Sequence, residues 1–128
     1  MTFLTQMKIN NYALVFLGGG LGALTRYLIT VLTEEQLGSA IASSLPLYIA
    51  NISGALLLGI INASNSEKTR TFWGAGFAGG YTTMSGVALF LYTLSPLMVL
   101  QTATLMFGLG FIAYAAGSNL ARVLRKSN

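Results

Sequence analysis

Four long apolar runs set the limits on what this chain can fold into. They cover residues of about 12–32, 45–63, 72–94 and 97–120. Each is close to the ~20 residues that carry a helix across the hydrocarbon of a bilayer. Their ends are marked by local chemistry. The first run stops at Thr33-Glu34-Glu35, and the second has Pro46 in its opening turn, where a missing N–H does no harm. The polar link from Ser64 to Arg70 separates the second from the third, and Ser95-Pro96 makes a tight turn into the fourth. A water-facing surface needs about a quarter of its residues charged, whereas this chain has 8%. The reading is one all-α membrane domain over residues 1–128, built from four transmembrane helices.

Charge placement gives the orientation. Lys8, Lys68, Arg70, Arg122, Arg125 and Lys126 all fall on the side shared by the N-tail, the second link and the C-tail; the opposite links carry Glu34 and Glu35. The positive-inside rule then puts both termini in the cytoplasm, with the chain multi-pass in the plasma (cell inner) membrane. The net charge of +4 does not indicate nucleic acid, because the cations flank apolar runs and form no basic stripe interleaved with aromatics. The first run is too long for a signal-peptide core and contains Arg26. With no cysteine and no histidine, disulfides, thiol chemistry and the usual catalytic pairs are excluded, and an enzyme is not expected.

Several residues inside the runs demand partners. Arg26 would cost about 2.5–3.5 kcal/mol facing lipid, so it either snorkels to the interface or stands in a vestibule where it concentrates anions. Asn51 either ties two helices together or offers an N–H to an anion in a pore. No run contains Asp, Glu, Lys or His, which removes the titrating group that proton-coupled transport needs and points to passive conduction. The stretch Gly76-Phe-Ala-Gly-Gly-Tyr-Thr-Thr-Met-Ser-Gly86 is poor material for a rigid helix. A break there frees carbonyls that are tolerated only inside protein or in a polar cavity; the competing reading is close packing through Gly76-x-x-x-Gly80. Gly18-Gly-Gly-Leu-Gly-Ala23 fits a dinucleotide fingerprint nominally, but without a preceding strand it reads as helix contact through Gly18 and Gly22.

Three strings in register are similar to those of the Fluc (CrcB-like) fluoride channel family: Gly18 to Tyr27, Asn51-Ile-Ser-Gly54 with Gly59, and Gly76 to Ser85. The resemblance covers essentially the whole chain. It implies an antiparallel, dual-topology-type dimer, a third helix broken mid-membrane, two fluoride pores and a central structural Na+. By that resemblance, the main-chain oxygens of Gly79 and Thr82 would hold the sodium ion. Asn51 matches the pore asparagine and Arg26 the vestibule arginine; Thr83 and Ser85 match the hydroxyl-bearing stretch. The role implied is passive fluoride export that lowers cytoplasmic fluoride and its toxicity.

The chain departs from that pattern where it has Met84 and Val87 in place of two phenylalanines, and Gly86 for a threonine. A thioether has no positively polarised ring edge. Tyr114 and Ser118 fall too late in the fourth run to match the family's polar track. The one-sided loop charges favour a single insertion direction, so the expected dimer partner is a non-identical, antiparallel family member. Two alternatives accompany the channel reading: a pore-deficient partner subunit of a heterodimeric channel, and a small multidrug-type transporter, which would need the absent intramembrane carboxylate.

Overall fold

The computed structural model describes residues 3–37 and 44–126, and side chains from Asn10 onward; the side chain of Lys8 and most of the link after the first helix lie outside these residues. Among the described residues the chain is almost entirely helical, with no strand. Helix α1 (Phe3–Leu37) and helix α2 (Leu45–Asn62) come first. A composite segment follows: α3 (Glu67–Thr69), a π-helical stretch (Arg70–Ala78) and α4 (Gly79–Tyr81). Helices α5 (Met84–Tyr92) and α6 (Pro96–Lys126) complete the chain.

Among the described residues three helices are long and apolar enough to cross a membrane: Asn10–Gln36 within α1, Leu45–Asn62, and Pro96–Lys126. The third apolar run is not one continuous helix. Thr82 and Thr83 adopt extended backbone (ψ 158° and 119°) between α4 and α5. Helix α1 overruns the expected 12–32 at both ends, because nothing from Phe3 to Leu37 blocks helical bonding. Pro46 sits in the first turn of α2, as its missing donor requires.

The packing is inside out relative to a water-soluble protein. The buried apolar residues are Ala50, Ala78, Tyr81, Val87 and Met106, whereas Phe16, Leu89, Tyr92 and Phe111 are each at least 70% exposed. Large apolar side chains turned outward suit lipid, and small residues inside let backbones approach. Two seams result. Helix α1 lies on residues 70–81, and α2 lies on α6.

In the first seam, a Cβ on Gly22 would overlap the Phe77 carbonyl oxygen and lie 2.8 Å from the Tyr81 nitrogen. One on Gly80 would lie 2.8 Å from the Gly19 carbonyl carbon. Four glycines in α1 between Gly18 and Gly22 forgo about 3–4 kcal/mol of helix propensity relative to alanine, which this close approach offsets. The second seam has one reciprocal pair: a Cβ on Gly59 would lie 2.9 Å from the Ser118 nitrogen, and one on Gly117 would lie 3.1 Å from the Ile60 nitrogen.

The π-helical stretch is where residues 70–81 depart from α geometry. Its closing N–H, from Gly79, reaches the carbonyl five residues back at Gly74. Wider turns of this kind concentrate at functional sites. Phe72, Trp73, Phe77 and Tyr81 line up beside it, with centroids 5.1, 5.3 and 5.6 Å apart in succession.

Candidate functional site

The interruption at Thr82–Thr83 organises the site, and Asn51 of α2 holds it. The Asn51 side chain accepts a hydrogen bond from the Thr83 N–H (2.9 Å, at Oδ1) and donates from Nδ2 to the Thr83 carbonyl (3.3 Å). One amide thus satisfies both main-chain groups of a residue that has left the helix, as a neighbouring peptide would. Thr83 is itself buried. Unpaired, its two main-chain groups would cost about 1–3 kcal/mol each. Of the two sequence readings of Asn51, the helix tie is therefore present, and the second Nδ2 hydrogen remains available.

Helix α5 starts immediately afterward because Thr83 caps it. Its hydroxyl accepts from the Gly86 N–H (3.0 Å), and it lies 3.3 Å from the Ser85 hydroxyl. Thr82 folds its hydroxyl back onto the Ala78 carbonyl (2.8 Å), which also accepts the Thr82 N–H (2.9 Å). The carbonyls of Gly79, Gly80, Tyr81 and Thr82 consequently lack their usual main-chain donors four residues on, and for two of them the diverted donor is plain. The Thr83 N–H, which would serve Gly79, is taken by Asn51; the Gly86 N–H, which would serve Thr82, is taken by the Thr83 hydroxyl.

The expected site residues divide between two cavities on either side of this clamp. Arg26, Thr83 and Ser85 line one of about 450 Å³, together with Tyr27, Thr30 and Pro46. The cation of Arg26, the N-terminus of α5 and two hydroxyl groups thereby face a common space, a combination favourable to an anion. Asn51, Met84 and Val87 line the other, also about 450 Å³, with Met106, Phe107 and Phe111 from α6. Met84 is 61% exposed, while Val87 is 2% exposed and packed into the core.

Gly79 sits outside both cavities. Alone among the glycines of residues 70–81, its missing side chain would meet nothing within 4 Å. Tyr114 and Ser118 belong to the α2–α6 seam: Asn62 donates to the Tyr114 hydroxyl (2.9 Å), and Ser118 donates to the Gly59 carbonyl (3.3 Å). Three participants were not singled out from the sequence. Phe107 and Phe111 carried a usable signal, one helical turn apart on the same face. Tyr81 carried none that distinguishes it, although its hydroxyl pairs with Ser53 at 2.9 Å beside the break.

Comparison with known proteins gives the family. Residues 13–118 match the family described as CrcB-like protein, Camphor Resistance (CrcB). The Fluoride-specific ion channel FluC of Rhodopseudomonas palustris (strain BisB5) is 39% identical, over 61% of this chain and 66% of that protein. Fluoride-specific ion channel FluC 2 of Corynebacterium jeikeium (strain K411) is 36% identical over 89% of this chain and 81% of its own length. The FluC protein of Sulfurihydrogenibium sp. (strain YO3AOP1) is 32% identical over 91% of this chain and all of that protein. No solved structure matches the chain. With a family match over residues 13–118 and relatives 36% and 32% identical over most of its length, this membrane protein belongs to the CrcB-like family.

Proposed function

We propose that the chain is a subunit of a fluoride-specific channel that lets fluoride leave the cytoplasm down its gradient. The observation that carries this reading is the Asn51–Thr83 clamp, which sets amide and hydroxyl groups at the junction of two cavities. Fluoride is small and strongly hydrated, so a dry path must replace its water with N–H and O–H donors. Arg26 attracts the anion on one side; Thr83, Ser85 and the spare Asn51 hydrogen supply donors at the constriction. Phe107 and Phe111, whose ring edges are positively polarised, line the Met84 cavity. Relatives named as fluoride channels support the substrate.

In this reading residues 67–92 form the third of four membrane crossings, interrupted at Thr82–Thr83. The subunits pair in antiparallel fashion in the plasma membrane, with both termini of this chain cytoplasmic. A structural Na+ fits the donor set. Gly79 and Thr82, like Gly80 and Tyr81 between them, carry main-chain oxygens without helical donors, and hard oxygens of that kind suit such a cation. The open face at Gly79 supports a partner there.

A second reading, in which this chain is the pore-deficient half of a heterodimer, is favoured by one observation. The Val87 side chain fills the monomer core where a pore aromatic is expected, and Met84 offers a thioether. Fluoride efflux from liposomes distinguishes the two. Efflux by the purified chain alone supports a complete homodimeric channel. Efflux only after co-expression with an oppositely oriented relative supports the heterodimer. Absence of efflux in both preparations removes the channel reading.

A further inference from the structure

The end of the molecule remote from Arg26 carries a cationic feature outside the two cavities already described. Arg70 donates to the Ser64 carbonyl (3.3 Å), and Arg125, arriving from α6, donates to the Ala63 carbonyl (3.5 Å) and to Asn65 Oδ1 (3.0 Å). Two guanidinium groups from distant parts of the chain are thus fastened to adjacent carbonyls at the C-terminal end of α2. Beneath them run two grooves that share Ile61. One, of about 220 Å³, is lined by Leu58, Ile61, Gly74 and Ala75 with Arg70 on it. The other, of about 380 Å³, is lined by Ile60, Ile61, Ala121 and Leu124 with Arg125 on it.

Among the described residues this end is not neutralised. There, Lys68, Arg70, Arg122, Arg125 and Lys126 face one acidic side chain, Glu67, whose Oε1 already accepts from Asn11 (3.0 Å). Glu34 and Glu35 lie far along α1, roughly 35 Å from Asn11 at 1.5 Å per residue. A guanidinium has five N–H donors; Arg125 uses two of its nitrogens on protein and Arg70 one.

We infer that the paired grooves beside Ile61 bind an anionic phospholipid, its acyl chains along the apolar walls and its phosphate between Arg70 and Arg125. Charge complementarity selects the headgroup, since juxtamembrane cations attract anionic lipid. The twin apolar grooves select a molecule with two tails, which a free phosphate lacks. The inference does not depend on fluoride conduction.

Trp73, the single tryptophan and 42% exposed, adjoins Gly74 in the smaller groove and serves as the reporter. The whole chain is placed in phosphatidylcholine bilayers containing acyl-brominated phosphatidylglycerol or acyl-brominated phosphatidylcholine. Quenching is expected to show a preference of roughly tenfold for the anionic lipid. The doubly substituted R70Q/R125Q chain should lose that preference, and R122Q/K126Q should keep most of it. Equal quenching by both lipids overturns the proposal. So does an equal loss in R122Q/K126Q, which would mark diffuse surface charge rather than a built site. Should R70Q/R125Q fail to fold, lipid retained by the unmodified chain in mild detergent decides. Enrichment of phosphatidylglycerol over phosphatidylethanolamine supports the site, and retention in the bulk ratio refutes it.

Discussion

The seam between α1 and residues 70–81 and the seam between α2 and α6 solve the same problem in different ways. Both bring helices into backbone contact through glycine. The first uses Gly18, Gly19, Gly22, Gly76 and Gly80 and runs alongside a helix that widens and then breaks. The second uses Gly59 and Gly117 between two regular helices, with hydrogen bonds at Ser118 and Tyr114 to pin it. Regular helices need one close point and a few polar ties. A helix that gives up part of its own hydrogen bonding needs a continuous flat wall, because its irregular stretch has little rigidity of its own.

Filling either seam should have the largest effect. Gly22→Val and Gly117→Val each push a branched side chain into main-chain atoms that cannot yield, at a cost of about 3 kcal/mol or more. Gly20→Val, which meets open space, is the matched control. Size-exclusion profiles after heating should show loss of folded protein in the first two only. If Gly22→Val is as stable as Gly20→Val, the first seam is not a contact.

Polar ties should then separate the seams. Asn51→Ala orphans the Thr83 main chain and should reduce fluoride efflux roughly tenfold or more. Tyr114→Phe removes a tie of about 0.6 kcal/mol and should leave efflux within twofold. Asn51→Asp keeps the acceptor for the Thr83 N–H but not the donor, and should fall between them. Comparable losses for Asn51→Ala and Tyr114→Phe would contradict the division into a site and a scaffold.

A smaller effect is expected at the start of α5. Thr83→Val removes the cap on Gly86 and should cost about 1 kcal/mol of thermal stability, with Thr83→Ser restoring it. An unchanged melting profile for Thr83→Val would show that the cap is replaceable.

The smallest change concerns Gly79. Gly79→Ala meets nothing within 4 Å in the monomer and gains up to about 1 kcal/mol of helix propensity, so the monomer should fold normally. Cross-linked dimer yield should nevertheless fall if a partner covers this face. Normal dimer yield and normal efflux would place the partner elsewhere.

Much of the site was legible residue by residue. The crossing of Gly18 and Gly22 on a neighbouring helix followed from their spacing, and the weakness of 76–86 as a helix followed from its glycines and hydroxyls. Close packing and interruption had stood as competing readings of that stretch. They occur together, packing through Gly76 and Gly80 and interruption two residues later at Thr82. The aromatic lining from α6 was legible only in part: Phe107 and Phe111 share one helical face, but that face looks like any lipid-facing one until α6 is set beside Met84.

Sequence alone established that the chain lives in a membrane, roughly where its apolar helices lie, and which polar residues need partners. Those properties depend on local hydropathy and on hydrogen bonding within a few residues. Only the tertiary structure decided which partners they obtain. The amide of Asn51 meets a main chain 32 residues away, and the cavity of Arg26 is separate from that of Met84. Such pairings depend on how helices cross, and the crossing is set by backbone contacts at glycine, a residue whose role is written in the side chain it lacks.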